Sequence, residues 1–295
     1  MTAPTTRFAP SPTGYLHLGH AFSALFAHAA ARRAGGRFLL RIEDIDTGRC
    51  RPEFIAAIEE DLSWLGLTWE IPVRRQSEHF ADYHAALARL EAAGALYPCF
   101  CTRADIAREI EHADSAPHGP DGPIYPGACR ALPAEMALRR RAAGHPFALR
   151  LDMNKARALA GPLVWRDAEA GLVTARPELF GDVVLARKDV PTSYHLAVTL
   201  DDAAQGVTLV TRGVDLFAAT HVHRLLQALL DLPTPDYHHH RLLTDESGRR
   251  LAKRDRAATL RSLREAGRTP AEARALAGFD DACDPRHSVE SQSRP

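Results

Sequence analysis

The sequence predicts an α/β fold: a parallel sheet with helices on both faces, interrupted by an inserted α+β subdomain. Three observations predict it. From Arg7 to Gly94, strand-like runs alternate with helical runs, which is the pattern of right-handed βαβ crossovers. The first strand runs into Pro10-Ser11-Pro12-Thr13-Gly14, a loop that continues neither strand nor helix. After Tyr97 the rhythm breaks into a stretch rich in Asp, His, Gly and Pro that carries Cys99, Cys101 and Cys129.

The first strand is Arg7 to Ala9, and a helix opens at His17 with an Ala-rich run ending before Gly35-Gly36. A strand, a tight polar loop and a helix N-terminus make an anion site, because free N–H groups and the helix dipole favour negative charge. His17 and His20 would add donors to phosphate oxygens, and Gly19 would let a nucleotide approach the backbone. A His-x-Gly-His motif on its own more often caps a helix.

Arg37 to Asp46 alternates as a strand, with Phe38, Leu40 and Ile42 on one face and Leu39, Arg41 and Glu43 on the other. Glu43, Asp44 and Asp46 crowd its C-terminal end, where open α/β sheets bind ligands. A carboxylate there would pair with an amino acid's ammonium; Asp46-Thr47 would equally cap the next helix. That helix spans 51–65, is striped by Phe54, Ile55, Ile58, Leu62 and Leu65, and stops at Gly66. Trp64 and Trp69 read as core. A short strand at 73–77 and a helix at 77–93 follow.

The inserted segment runs from 97 to about 179. Its three thiols plus one further ligand would make a tetrahedral zinc site, and by chemistry alone His112 or His118 supplies the fourth donor. Five cysteines with one tight pair suit a metal site in a reducing compartment better than a disulfide framework. A basic helix at 132–144 and strands at 146–152 and 163–167 complete the insert.

The sheet then resumes at 182–187, and Val207 to Arg212 is a β-branched strand ending in Arg-Gly. An arginine at a strand end holds a carboxylate with two parallel hydrogen bonds, and the Tyr194 hydroxyl would add a third donor. The competing reading packs Tyr194 and pairs Arg212 with Asp215. Residues 220–231 form a helix. His238-His239-His240 reads as strand rather than metal site, with His239 facing opposite its neighbours. Short helices are expected at 257–266 and 270–277, then a polar, disordered tail.

Lysine plus arginine equals aspartate plus glutamate at 37 each, so no global positive field announces nucleic acid. RNA contacts would use local patches: Arg139 to Arg141, or Arg249, Arg250, Lys253, Arg254 and Arg256. The longest apolar runs are too short to span a bilayer. A cytoplasmic, monomeric enzyme is the default.

RFAPSPTGYLHLGHA resembles the opening of the class I glutamyl-tRNA synthetases, with HLGH in the place of their HIGH-type signature. IEDID, YHLAVTLDDAAQGVTLVTRGVDL and RRLAKR are similar, in order, to that family's amino-acid pocket and KMSKS loop. The resemblance implies a Rossmann-like class I synthetase catalytic core. It implies catalytic roles for His17, His20 and Lys253, and a glutamate pocket of Arg7, Ala9, Ser11, Glu43, Tyr194 and Arg212. ATP, with Mg2+, would meet Pro10, Thr13, His17, Gly19, His20, Arg250 and Lys253. Arg250 keeps the charge of the loop's first lysine, whereas Ala252 loses a hydroxyl. Short bacterial members carry Cys-x-Cys…Tyr-x3-Cys, which YPGAC completes. Cys99, Cys101, Tyr125 and Cys129 would then hold one structural Zn2+, with no open position for water.

The implied organisation is 1–96 and 180–254 as halves of the core, 97–179 as the zinc insert, 255–279 helical and 280–295 a tail, with no anticodon-binding domain. That shortness and the cysteine pattern resemble a branch that activates L-glutamate without tRNA and transfers it to the queuosine base of tRNA(Asp). The rival readings are a truncated synthetase charging the terminal ribose, a small nucleotidylyltransferase, and a non-enzymatic glutamate- or RNA-binding paralogue.

Overall fold

The computed structural model describes residues 3–111, 118–120, 122–243 and 258–279. Strand β1 (Thr5–Phe8) leads through the Pro-Ser-Pro-Thr-Gly loop into α1 (Leu18–Arg33), then β2 (Arg37–Ile42), α2 (Pro52–Trp64), β3 (Glu70–Arg75) and α3 (Phe80–Ala92). The next segment holds β4 (Leu96–Cys99), α4 (Arg103–Glu111), the two-residue strands β5 (His118–Gly119) and β6 (Gly122–Pro123), α5 (Ala134–Ala142), β7 (Ala148–Leu151) and α6 (Met153–Ala160). Then come β8 (Val164–Asp167), β9 (Gly171–Thr174), β10 (Val184–Ala186), α7 (Tyr194–Ala204), β11 (Leu209–Gly213), α8 (Ala219–Leu229), β12 (Asp236–His240), α9 (Leu260–Glu265) and α10 (Pro270–Leu276).

The predicted parallel sheet is present in two halves. β1, β2 and β3 run parallel, as do β11, β12 and β8, with β9 antiparallel at the edge. The halves meet where Thr208 N–H donates to the Thr5 carbonyl at 3.0 Å. The spatial order is therefore β3-β2-β1-β11-β12-β8-β9, and the strand order reverses between β1 and β11. Open α/β sheets bind ligands at such a switch point. Small alanines let α1 sit close on one face, burying Ala21, Ala24 and Leu25 with Phe8, Phe38 and Leu40. On the opposite face Arg7 and Arg41 reach Asp202 of α7. Each fully buried Leu, Ile or Phe contributes about 1.5–3 kcal/mol.

Two expectations need correction. The strand expected inside the insert, β8, pairs instead with β12 of the main sheet through Tyr237 and Asp167. Its Trp165 is 2% exposed and packs on Tyr237 and Phe217, so burying that indole seats the strand there. Conversely, β10, expected to resume the main sheet, pairs antiparallel with β7, which also pairs with β4. Boundaries at 97 and 179 therefore do not coincide with the sheets. β2 is buried on both faces from Phe38 to Ile42, and Arg41 is 0% exposed. Neighbouring strands and helices on both sides of β2 cover what a half-exposed strand would show to water.

Candidate active site

A cleft of about 320 Å³ opens at the switch point. Every glutamate-site residue expected from the sequence lines it: Arg7, Ala9, Ser11, Glu43, Tyr194 and Arg212. Pro10, Thr13, His17, Gly19 and His20 line it as well. Arg250 and Lys253 lie outside the described residues. Their flanks are at the cleft: Arg241, Leu242 and Leu243 line it, and Thr259 bridges to His17. Leu260 N–H donates to the Leu16 carbonyl at 2.8 Å, fixing that return.

His17 and His20 do cap α1, and they line the cleft at the same time. The Nδ1 of His17 accepts from Gly19 N–H at 3.0 Å, and the Nδ1 of His20 accepts from His17 N–H at 3.3 Å. The rings stack with centroids 3.8 Å apart. A neutral imidazole that accepts at Nδ1 carries its proton on Nε2. Both rings are thus fixed as Nε2–H donors. Gly19 has a role the sequence did not show: a Cβ there would stand 2.9 Å from Cε1 of His17. The glycine makes room for the imidazole that folds back over the helix start.

Arg7 and Arg212, the two arginines expected in the glutamate pocket, differ. Arg7 is neutralised: Nε donates to Asp202 Oδ1 at 2.9 Å, Nη2 to Oδ2 at 3.4 Å, and Nη1 to the Thr211 carbonyl at 3.0 Å. Arg41 donates to the same Asp202 at 2.7 Å, to Gln205 at 3.0 Å and to Glu43 at 3.2 Å. Burial alone would raise the Asp202 carboxyl, but Arg7 and Arg41 together hold it below its ordinary value. Burial raises Glu43 against the pull of Arg41 and Arg7. A cation brought beside Glu43 would relieve that cost.

Arg212 has no carboxylate within 4.0 Å among the described residues, although it is only 5% exposed. It does not pair with Asp215. Its Nε donates to His239 Nε2 at 3.1 Å, Nη1 to His223 Nδ1 at 3.1 Å, and Nη2 to Thr220 Oγ1 at 2.6 Å. Nη1 also reaches the Tyr194 hydroxyl at 3.4 Å. Guanidinium only donates, so the facing imidazole nitrogens must be lone pairs. The proton of His239 then sits on Nδ1, facing Asp167 at 2.7 Å, and that of His223 on Nε2, facing His195 at 3.1 Å. Burial, then the Arg212 charge, lowers His195 and His239 to about 4 and holds His223 well below its ordinary value. Sequence reasoning missed Asp167, His195, Thr220, His223 and Asp202. The signals available were His239, whose strand face opposes that of His238 and His240, and Arg41 inside an apolar strand.

These histidines give stability a pH dependence. Below about 6.5 the unfolded chain binds protons that the folded one refuses. Stability is therefore full above that value and is lost as pH falls toward about 4. Burial lowers His221 and His240 too. Asp61, raised to about 6 by burial, and Glu43 act in the opposite direction, but five histidines outweigh two carboxyls. The melting temperature at pH 5 should lie below that at pH 7, as a thermal scan at both values would show.

In the inserted region the sulfurs of Cys99, Cys101 and Cys129 lie within 4.8 Å of one another. The Tyr125 Oη is 3.5 Å from both Cys99 and Cys101 Sγ, and Cys101 and Cys129 Sγ are 3.3 Å apart. None of the three is in a disulfide. Four donors at such spacings fit the edges of a tetrahedron around an ion of zinc size. Cys129 N–H donates to Oη at 2.8 Å and the Arg150 guanidinium lies 3.8 Å over the ring, which favour an anionic oxygen, whereas burial and Cys99 push the phenol up, so a bound cation would be needed to ionise it. His112 lies outside the described residues, and among the described residues the cluster holds no histidine.

Residues 4–275 match the catalytic-domain family described as tRNA synthetases class I (E and Q). A glutamyl-Q tRNA(Asp) synthetase of Rhodobacter capsulatus is 53% identical over 93% of this chain and 99% of its own length. One from Nocardia farcinica is 46% identical over 92% of this chain and 82% of its own. Among solved structures, a glutamate tRNA ligase from Elizabethkingia meningosepticum in complex with its amino acid superposes with a TM-score of 0.77 at 26% identity. The match covers 94% of this chain but only 61% of that one. No helix among the described residues is long and apolar enough to cross a membrane. With its paired imidazoles, its two pocket arginines and these relatives, the chain belongs to the glutamyl-Q tRNA(Asp) synthetases, a branch of the class I synthetase family.

Proposed function

We propose that the chain activates L-glutamate with ATP and transfers the glutamyl group to the queuosine base of tRNA(Asp). The observation that carries the reading is Arg212, a buried cation surrounded by neutral acceptors in a cleft that also holds Glu43. A ligand with a side-chain carboxylate for Arg212 and an ammonium for Glu43 is an acidic amino acid. Its α-carboxylate attacks the α-phosphorus of ATP, and pyrophosphate leaves. The protein contributes position and charge rather than a covalent nucleophile. His17 and His20 donate through Nε2 to phosphate oxygens, and Arg250 and Lys253 supply cations to the triphosphate. Mg2+ arrives on the nucleotide. A hydroxyl of the modified base then attacks the acyl carbon and AMP departs. The enzyme works in the cytoplasm as a monomer.

Cys99, Cys101, Tyr125 and Cys129 hold one structural Zn2+. Burial pushes the Cys101 thiol up to about 11, so a bound cation is what keeps it deprotonated at neutral pH. Purified protein should carry one zinc per chain by elemental analysis. Cys129→Ser should lose it; a stability loss of about 2–3 kcal/mol corresponds to a fall in Tm of roughly 3–5 °C.

Transfer of labelled glutamate tests the whole reading. With ATP, label should appear on tRNA(Asp) that carries queuosine and not on the same tRNA lacking it. Equal labelling of both would place the acceptor at the terminal ribose. No labelling, together with no glutamate-dependent pyrophosphate exchange, would leave a non-enzymatic paralogue.

A further inference from the structure

Behind Arg212 lies a buried pair that does not line the cleft. Asp167, at the end of β8, is 2% exposed. Its Oδ1 accepts from the N–H groups of Glu169 and Ala170 at 3.0 and 2.9 Å, which caps the β8–β9 turn. Its Oδ2 accepts from His239 Nδ1 at 2.7 Å. The far nitrogen of His239 receives Arg212 Nε at 3.1 Å.

We propose that Asp167 and His239 are positioning residues that fix the plane of the Arg212 guanidinium for a side-chain carboxylate. The inference rests on the glutamate reading above and adds to it how the carboxylate anchor is aimed. Of the five guanidinium N–H groups, His239, His223 and Thr220 take three. One remains on each terminal nitrogen, that on Nη1 loosely facing Tyr194. Two parallel N–H groups are what a carboxylate needs for bidentate binding. The order of the pair matters. A carboxylate placed directly on Arg212 would compete with the ligand for the fork and cancel its charge. A neutral imidazole between them transmits orientation without supplying an anion to the fork. Asp167 holds that imidazole in the tautomer that accepts from arginine.

The test is glutamate-dependent pyrophosphate exchange on the full chain, with KM for glutamate and for ATP measured separately. Asp167→Asn keeps an oxygen for the turn but presents an NH2 to His239. The imidazole must then accept at Nδ1 and carry its proton on Nε2, donor against donor with Arg212. Losing a hydrogen bond to a charged group is worth about 1.5–3 kcal/mol, so KM for glutamate should rise about 10-fold to 100-fold, with KM for ATP unchanged. A second pair of variants guards against misfolding. His239→Gln offers an oxygen where Nε2 stood and should stay near wild type. His239→Asn cannot reach Arg212 and should behave like Asp167→Asn. The proposal is overturned if KM for glutamate is unchanged in Asp167→Asn, if both KM values rise together, or if the Gln and Asn variants are alike. If the wild-type chain shows no glutamate-dependent exchange, the glutamate reading itself falls first and takes this inference with it.

Discussion

Arg212→Ala should lose glutamate activation while keeping ATP binding. Among the described residues this guanidinium donates to neutral groups alone, so its charge is left for a ligand. Alanine would remove both N–H groups of the fork and leave His223 and His239 without their donor. Removing one partner of a buried, hydrogen-bonded charge pair costs about 2–5 kcal/mol, which corresponds to a drop of roughly 30-fold to 4,000-fold in kcat/KM for glutamate. The nucleotide side of the cleft, built on the α1 cap, does not depend on Arg212. Pyrophosphate exchange titrated with glutamate, beside ATP binding measured by calorimetry, would separate the two. Unchanged glutamate kinetics would remove Arg212 from the site. Arg7→Ala is a different experiment, because it strips Asp202 of one of its two cations and so disturbs the buried network that also holds Arg41.

Lys253→Ala should abolish adenylate formation with the fold intact. As pyrophosphate departs, negative charge moves onto the bridging oxygen, and a cation placed there acts mainly in the transition state. Losing one such donor costs about 100-fold to 1,000-fold in kcat. Lys253 lies outside the described residues, but the chain on both sides of it is fixed at the cleft. Leu243 lines it, and Thr259 pairs with His17, which itself caps α1. Glutamate-dependent pyrophosphate exchange is the assay. Retained exchange would transfer the triphosphate's cation to Arg250 or to another residue.

Much of this site was legible in the sequence because its signals are local. Proline and glycine mark where β1 ends and α1 begins, and helical spacing puts His17 and His20 on one turn. Arg212 at a strand end suggested an anion pocket, and it does line the cleft. What stayed hidden depends on partners distant in sequence. Alternation marks β8 and β10 as strands but does not say which sheet each joins, and Trp165 decides the first by what it packs against. The three histidines at 238–240 do lie on a strand, yet His239 matters through Arg212 and Asp167, one of them 72 residues away. Arg41 inside an apolar strand was the visible trace of the Asp202 network, though nothing local to it names its partner.

The sheets trade strands in a way that bears on how this protein diverges and how it can be re-engineered. The chain leaves the main sheet for β4 and β7, returns to give β8 and β9, leaves again for β10, and returns for β11. The cysteine-bearing region is therefore not a cassette. A swap cut at 97 and 179 would carry away two strands of the recipient's main sheet and strand its β10 without partners. A block from β4 through β10 would keep the smaller sheet whole, but it too carries β8 and β9 away from their place beside β12. Either cut therefore moves the cysteine cluster and the β8 wall behind Arg212 together.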